Sequence, residues 1–295
     1  MNRFLKLYAI LTSSGMLLVL LMGAIVTTTG SGEGCGNSWP LCYGEVLPSQ
    51  PKVETMIEYS HRLVSATLGL MVVILALWAW IKFREGREVK WLAFLSVFFI
   101  VFQGLLGAAA VVWGQSSFVL ALHFGFSLIS FASVVLLTMV IYESENERIV
   151  LKVNKRLKWN IYLLFIYLYT LVYTGALVRH TKASLACSGW PLCNGEIIPP
   201  TNELELIQYT HRFMAGLFFI WILLSYIQIK SYYKDVKVVH NSFVLLLILV
   251  SLQVTTGALI IFTNLNLFIG LMHGLFVSLL FATLSYLVMV ALRKT

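Results

Sequence analysis

Charge is what this sequence has least of: of 295 residues only 12% are Asp, Glu, Lys or Arg, against roughly a quarter in an ordinary soluble domain. The shortage excludes a water-soluble globular fold, and with 59% hydrophobic residues and a mean hydropathy of +0.85 the chain reads as a membrane protein. Acidic residues are absent from the long apolar runs, which argues against a carboxylate-bridged di-metal site. The segments between those runs are too short for a soluble domain or a cytoplasmic energy module. The net charge of +8 does not point to nucleic acid, because a basic excess in a polytopic membrane protein belongs to its cytoplasmic loops.

What is present is a set of eight apolar windows, near 7–28, 62–81, 91–112, 118–141, 160–178, 212–229, 241–262 and 267–291, each long enough for a bilayer-spanning helix. The chain is therefore expected to be all-α and polytopic, surrounded by membrane lipids. Arg3 and Lys6 precede the first window, Lys82, Arg84, Arg87 and Lys90 follow the second, and Arg148, Lys152, Lys155, Arg156 and Lys158 follow the fourth. Lys230, Lys234 and Lys237 follow the sixth, and Arg293 and Lys294 the eighth, so 16 of the 21 basic residues fall on one side. Lys52, Arg62, Arg179, Lys182 and Arg212 fall on the other. The positive-inside rule places both termini in the cytoplasm of a cell membrane, with long outer loops at 29–60 and 179–210. The first window is longer than the apolar core of a secretory signal and is read as a retained helix.

The chain also repeats itself. Cys35, Trp39, Pro40, Leu41, Cys42, Gly44, Glu45 and Pro48 recur as Cys187, Trp190, Pro191, Leu192, Cys193, Gly195, Glu196 and Pro199. Glu58, Tyr59, His61 and Arg62 lie over Gln208, Tyr209, His211 and Arg212; Gln103 and Gly107 lie over Gln253 and Gly257; His123 lies over His273, all at an offset of 150 to 152. Two tandem four-helix bundles are expected, 1–147 and 148–295, related by a pseudo-two-fold axis along the membrane normal because an even number of helices per repeat preserves orientation.

Of six histidines, four are paired by the repeat, whereas His180 lies over Thr28 and His240 over Lys90 and both are read as loop or interface residues. His61 and His211 open the second helix of their halves; His123 and His273 lie about one and a half turns into the fourth. The members of each pair share a depth within about 10 Å of the outer surface, at ~1.5 Å rise per residue. Ionisable residues inside a span signal function, and two neutral imidazoles across a bundle can grip a haem iron from both faces. One such histidine alone would be read as an interhelical hydrogen bonder; four at matched positions favour the haem reading. No Cys-x-x-Cys-His sequence occurs, so the haem is expected to be held non-covalently.

Arg62 and Arg212 suit haem propionates or, equally, headgroup anchoring. Gln103 with Gly107, and Gln253 with Gly257, read as packing and interhelical hydrogen bonding. Glu58 stands one helical turn before His61, but its counterpart Gln208 cannot carry charge or a proton, which suggests one catalytic centre and one cofactor site. Otherwise Glu58 is an exposed carboxylate at a loop end. Cys35 with Cys42 and Cys187 with Cys193 are read either as structural disulfides over each bundle mouth or as redox thiols, a four-cysteine zinc site being the weakest reading.

These motifs resemble those of haem A synthase, in the eight-helix bacterial form with a cysteine pair in both outer loops, and the resemblance covers essentially the whole chain. It implies oxidation of one methyl group of haem O, the substrate, to a formyl group by successive hydroxylations and loss of water. It implies that His61 and His123 flank the substrate haem, that His211 and His273 ligate the iron of a haem b cofactor, that Glu58 is catalytic, and that haem O synthase is the upstream partner. The oligomeric state, monomer or homo-oligomer, stays open. A substrate haem that must leave calls for weaker ligation in the first half. Two other classes compete. A di-haem b-type electron-transfer protein would place its haems near opposite faces, whereas all four histidines lie near one; a haem transporter or chaperone would not need the difference between Glu58 and Gln208.

Overall fold

A computed structural model describes residues 2–49, 51–114, 116–144, 148–151, 153–197 and 201–293. Lys152, Pro199 and Lys294, used above for charge and repeat, lie outside the described residues. The chain divides into two compact units, Met1–Arg148 and Ile149–Thr295. The first holds α1 (Asn2–Thr28), α2 (Val53–Lys82), α3 (Arg87–Val112) and α4 (Ser117–Glu143). The second holds α5 (Lys155–His180), α6 (Glu203–Tyr232), α7 (Lys237–Phe262) and α8 (Leu267–Leu292). All eight are long and apolar enough to cross a membrane, and this is a multi-pass membrane protein. Helices of 26 to 30 residues extend beyond a hydrocarbon core of about 30 Å, so their ends reach the headgroups.

In each unit every helix packs on its neighbours in the chain and the first also packs on the fourth, which closes a ring of four. This order puts α2 diagonally across from α4, and α6 across from α8. The fourth helix of each unit is the most deeply buried, with Leu128, Val134 and Leu137 sealed in the first unit and Leu280, Leu284 and Leu287 in the second. Apolar stripes face outward instead: Leu63, Leu70 and Leu77 on α2 recur every seven residues, and Phe213, Leu217, Ile220, Leu224 and Ile227 line α6. In lipid such stripes cost nothing, and interhelical polar contacts do more of the specifying. Ser13 and Thr138 share a hydrogen bond of 2.8 Å in the first unit. In the second, Asn160 accepts from Trp221 Nε1 at 2.8 Å and donates to Ser225 at 3.0 Å.

The helices overrun the apolar windows, and the overrun matters most in α2 and α6. Residues 53–61 and 203–211 mix polar and apolar side chains and escape a hydropathy window, yet with Glu, Leu, Met and Gln among them they continue the helix outward. At α6 the start is secured by Asn202, whose side chain accepts from Leu204 N–H at 3.0 Å. Consequently His61 does not open its helix; it lies eight residues inside, roughly 12 Å from the end at 1.5 Å per residue. Glu58 is inside the helix too, and the outer connections shrink to 29–52 and 181–202.

Candidate functional site

Each of the four repeated histidines lies against a glycine of the preceding helix. A Cβ at Gly23 on α1 would stand 3.4 Å from His61 Cε1, and one at Gly107 on α3 would stand 3.0 Å from His123 Cε1. The corresponding distances are 2.8 Å from Gly175 on α5 to His211 and 3.4 Å from Gly257 on α7 to His273. All four glycines stand five residues before the end of their helix, so the imidazoles gather at one end of each bundle. His61 is within electrostatic range of His123, and His211 of His273, across the diagonal of their rings. Sequence reasoning found Gly107 and Gly257 but assigned them to packing, and it missed Gly23 and Gly175. The 152-residue offset of the first helices, already visible in Thr28 over His180, carried that signal.

The Nδ1 atoms are held differently. His123 Nδ1 donates to the Gln103 carbonyl at 2.8 Å, which leaves Nε2 as the lone-pair nitrogen. His211 Nδ1 lies 2.9 Å from Thr174 Oγ1, and the single hydroxyl proton of Thr174 is directed to the Leu171 carbonyl at 2.8 Å. Nδ1 must therefore be the donor, and Nε2 is again free to bind. His273 repeats the arrangement: Nδ1 is 3.1 Å from Thr256 Oγ1, whose proton goes to Leu252 O at 2.8 Å. The amide of Gln253, 3.0 Å from His273 Nε2, donates into that lone pair. His61 Nδ1 is buried and has no hydrogen-bond partner among the described residues.

One turn toward the start of the same helices and at the residue after each histidine, the Glu58/Gln208 and Arg62/Arg212 positions strap down the cysteine loops. Cys35–Cys42 and Cys187–Cys193 are disulfides. Each loop ends in a two-residue reversal in which Tyr43 and Gly44, or Asn194 and Gly195, have positive φ, the geometry of a type I′ turn that glycine adopts without steric cost. Glu58, 3% exposed, accepts the Cys35 N–H at 2.8 Å, and Gln208, 4% exposed, accepts the Cys187 N–H at 2.7 Å. Arg62 donates through Nη1 to Ser38 O and Leu41 O at 2.8 and 3.0 Å, and Arg212 to Gly189 O and Leu192 O at 2.5 and 3.1 Å. The units part company in charge. Arg62 also forms an ion pair with Glu58 through Nε and Nη2. Arg212 has no carboxylate partner among the described residues, and its buried Nε–H has no acceptor.

Glu58 is thus neither exposed nor at a loop end; it is a buried helical carboxylate joining Arg62, the disulfide loop and the turn that carries His61. His180 ends α5, and His240 contacts Asn241 and the Tyr226 ring on the opposite end of its unit, so neither joins a histidine pair. No cluster of three or more His, Cys, Asp or Glu side chains able to hold a bare metal ion occurs among the described residues.

Residues 6–285 match the family model described as cytochrome oxidase assembly protein. The chain is 51% identical over 295 residues to the haem A synthase of Geobacillus kaustophilus, covering 99% of this chain and 93% of that relative. It is 51% identical over 296 residues to that of Bacillus cereus strain 03BB102, covering all of this chain and 95% of the relative. To that of Bacillus mycoides it is 50% identical over 297 residues, covering all of this chain and 96% of the relative.

Proposed function

The chain belongs to the cytochrome oxidase assembly protein family, and from that membership and its full-length likeness to haem A synthases we propose that it is itself a haem A synthase, oxidising a methyl group of haem O to the formyl group of haem A. The carrying observation is the pair of cross-bundle histidines in each unit, three of the four with Nδ1 bonded so that Nε2 carries the lone pair, met in His273 by the Gln253 amide, together with a buried carboxylate in the first unit. A haem iron takes at most two axial donors from the protein because its porphyrin supplies the other four, which suits a site with two imidazoles and, among the described residues, no larger ligand cluster. The glycines opposite the imidazoles leave each ring the room that a side chain there would take.

In this proposal His211 and His273 would hold a b-type haem, which would supply one-electron chemistry, and His61 and His123 would flank the substrate. The buried Nε–H of Arg212, lacking an acceptor and a counter-charge, suits a propionate carboxylate. Arg62 is committed to Glu58 and the loop carbonyls, so Arg212 is the better propionate partner of the two. Converting CH3 to CHO with one oxygen from water releases four protons and four electrons, the electrons passing to an acceptor outside this chain. Glu58 Oε1 and Oε2 are the carboxylate atoms nearest along the chain to His61, and we assign them the handling of those protons. The disulfides act as staples: each is buried, and its loop is tied to the helix that carries a histidine. The clustering of basic residues supports a topology with both termini in the cytoplasm and the disulfide loops outside. A haem O synthase is the enzyme class that must supply the substrate. A di-haem electron carrier is disfavoured because it has no use for a carboxylate at only one of two like sites.

Expression with a haem O synthase in a host that makes no haem A tests the function. Extracted haems should include haem A by chromatography and mass; haem O alone would refute the assignment. The glycine contacts supply a second expectation. Gly175→Ala puts a methyl 2.8 Å from His211 Cε1, so the ring must shift at a site that tolerates only about half an ångström, whereas Gly257→Ala meets its ring at 3.4 Å. Haem per purified chain and the reduced α-band should fall several-fold in Gly175→Ala and stay near normal in Gly257→Ala.

A further inference from the structure

The two units differ behind their histidines as well as beside them. Thr174, immediately before Gly175, holds His211 Nδ1 at 2.9 Å, and Thr256, immediately before Gly257, holds His273 Nδ1 at 3.1 Å. The repeat places Met22 at the first of these positions, immediately before Gly23, and Leu106 at the second, immediately before Gly107. Neither side chain offers an oxygen. His123 is compensated by the backbone carbonyl of Gln103, but His61 Nδ1 is left buried and unbonded. A hydrogen bond from Nδ1–H to oxygen fixes the tautomer, aims the ring and strengthens Nε2 as a donor, and losing one such outer partner typically costs about 10- to 100-fold in metal affinity.

We propose that these Nδ1 partners decide which axial bonds are permanent: Thr174 and Thr256 are positioning residues that lock the second-unit histidines, and His61, lacking a partner because Met22 replaces the threonine, is the exchangeable ligand through which the first-unit haem enters and leaves. The proposal rests on the haem reading above and goes beyond it by naming the residues that make one site retentive and the other transient. It also assigns the transient bond to His61 rather than to His123. An imidazole without an Nδ1 acceptor can rotate or change tautomer at little cost, which is what a ligand that must let go needs.

The test follows haem leaving the full-length protein, purified in detergent after co-expression with a haem O synthase, into an excess of apomyoglobin. Two phases are expected, a fast one from the first unit and a slow one from the second. Thr174→Val should accelerate the slow phase at least about ten-fold and shift the redox midpoint of that haem. Thr174→Ser, which keeps the oxygen, should restore both, a rescue that a purely steric role would not produce. Met22→Thr should slow the fast phase. If both haems leave at one rate, or if Thr174→Val changes neither rate nor potential, the proposal is overturned while the synthase reading stands. If the purified protein carries no haem, both fall together. Should Met22→Thr fail to fold, the comparison of Val with Ser at position 174 decides alone.

Discussion

Glu58→Gln is expected to leave a folded, haem-binding protein in which haem A formation falls at least about 100-fold, the usual scale for removing a positioned acid or base. The fold should survive because the molecule already contains the substitution: Gln208 takes the Cys187 N–H at 2.7 Å as Glu58 takes that of Cys35 at 2.8 Å. An amide can therefore hold the loop, and Arg212 shows that the neighbouring guanidinium is accommodated without a carboxylate. Loss of the ion pair with Arg62 should cost on the order of 1–3 kcal/mol, visible as a modest drop in thermal stability. What the amide cannot do is take up or release a proton. Glu58→Asp separates the two duties from the other direction, since it keeps the proton chemistry but is a methylene too short to reach Cys35 N–H from the same backbone position. The ratio of haem A to haem O in extracts, with total haem per chain as control, is the measurement. A yield within two-fold of the parent in Glu58→Gln would reduce Glu58 to a loop strap.

The contrast between Glu58 and Gln208 was legible in the sequence because the repeat aligned them, and so were the eight helices, the histidine pairs and the cysteine pairs. What the sequence hid was direction. An apolar window registers lipid contact and nothing else, so it began α2 at residue 62 and put Glu58 outside a helix that in fact begins at Val53. Seen as a loop-end residue, Glu58 invites the idea of an exposed carboxylate; in the helix, its i+4 neighbour Arg62 and the Cys35 amide enclose it. Arg62 and Arg212, alike in the sequence, differ only in what they meet, because one has a carboxylate within reach and the other has an amide. The threonines were invisible for a different reason. Thr174 and Thr256 are ordinary residues in apolar helices, and their meaning arises only when α5 meets α6 and α7 meets α8 closely enough to bring an oxygen to each Nδ1. Gly23 and Gly175 could have been found from the 152-residue offset, but only with a reason to expect a flat ring beside them.

His273→Ala is expected to abolish haem A formation while the first unit still retains haem O. The substitution removes one axial donor, deprives the Gln253 amide of its acceptor and opens a void over Gly257, where the ring had packed at 3.4 Å from a would-be Cβ. The second-unit haem should leave during purification or remain with a single axial histidine, and in either case its bis-imidazole absorption should disappear. Activity should follow, for a reason that lies in the chemistry of the conversion rather than in substrate contact. With water as the oxygen source four electrons depart for each methyl group oxidised, and an iron with both axial positions filled by imidazole would be suited to passing electrons and unsuited to binding oxygen. If the second unit is the relay for those electrons, substrate should accumulate in the first unit unoxidised, so extracts would contain haem O with haem A below detection. Added imidazole offers a control, because it can occupy the cavity left by the side chain and replace the missing donor; partial return of the spectrum and of haem A together would tie the activity to ligation rather than to misfolding. Undiminished haem A in a variant proven to lack the second haem would remove the relay from the mechanism. It would also leave the first unit, with its one buried carboxylate and its unbonded His61, to carry the whole reaction.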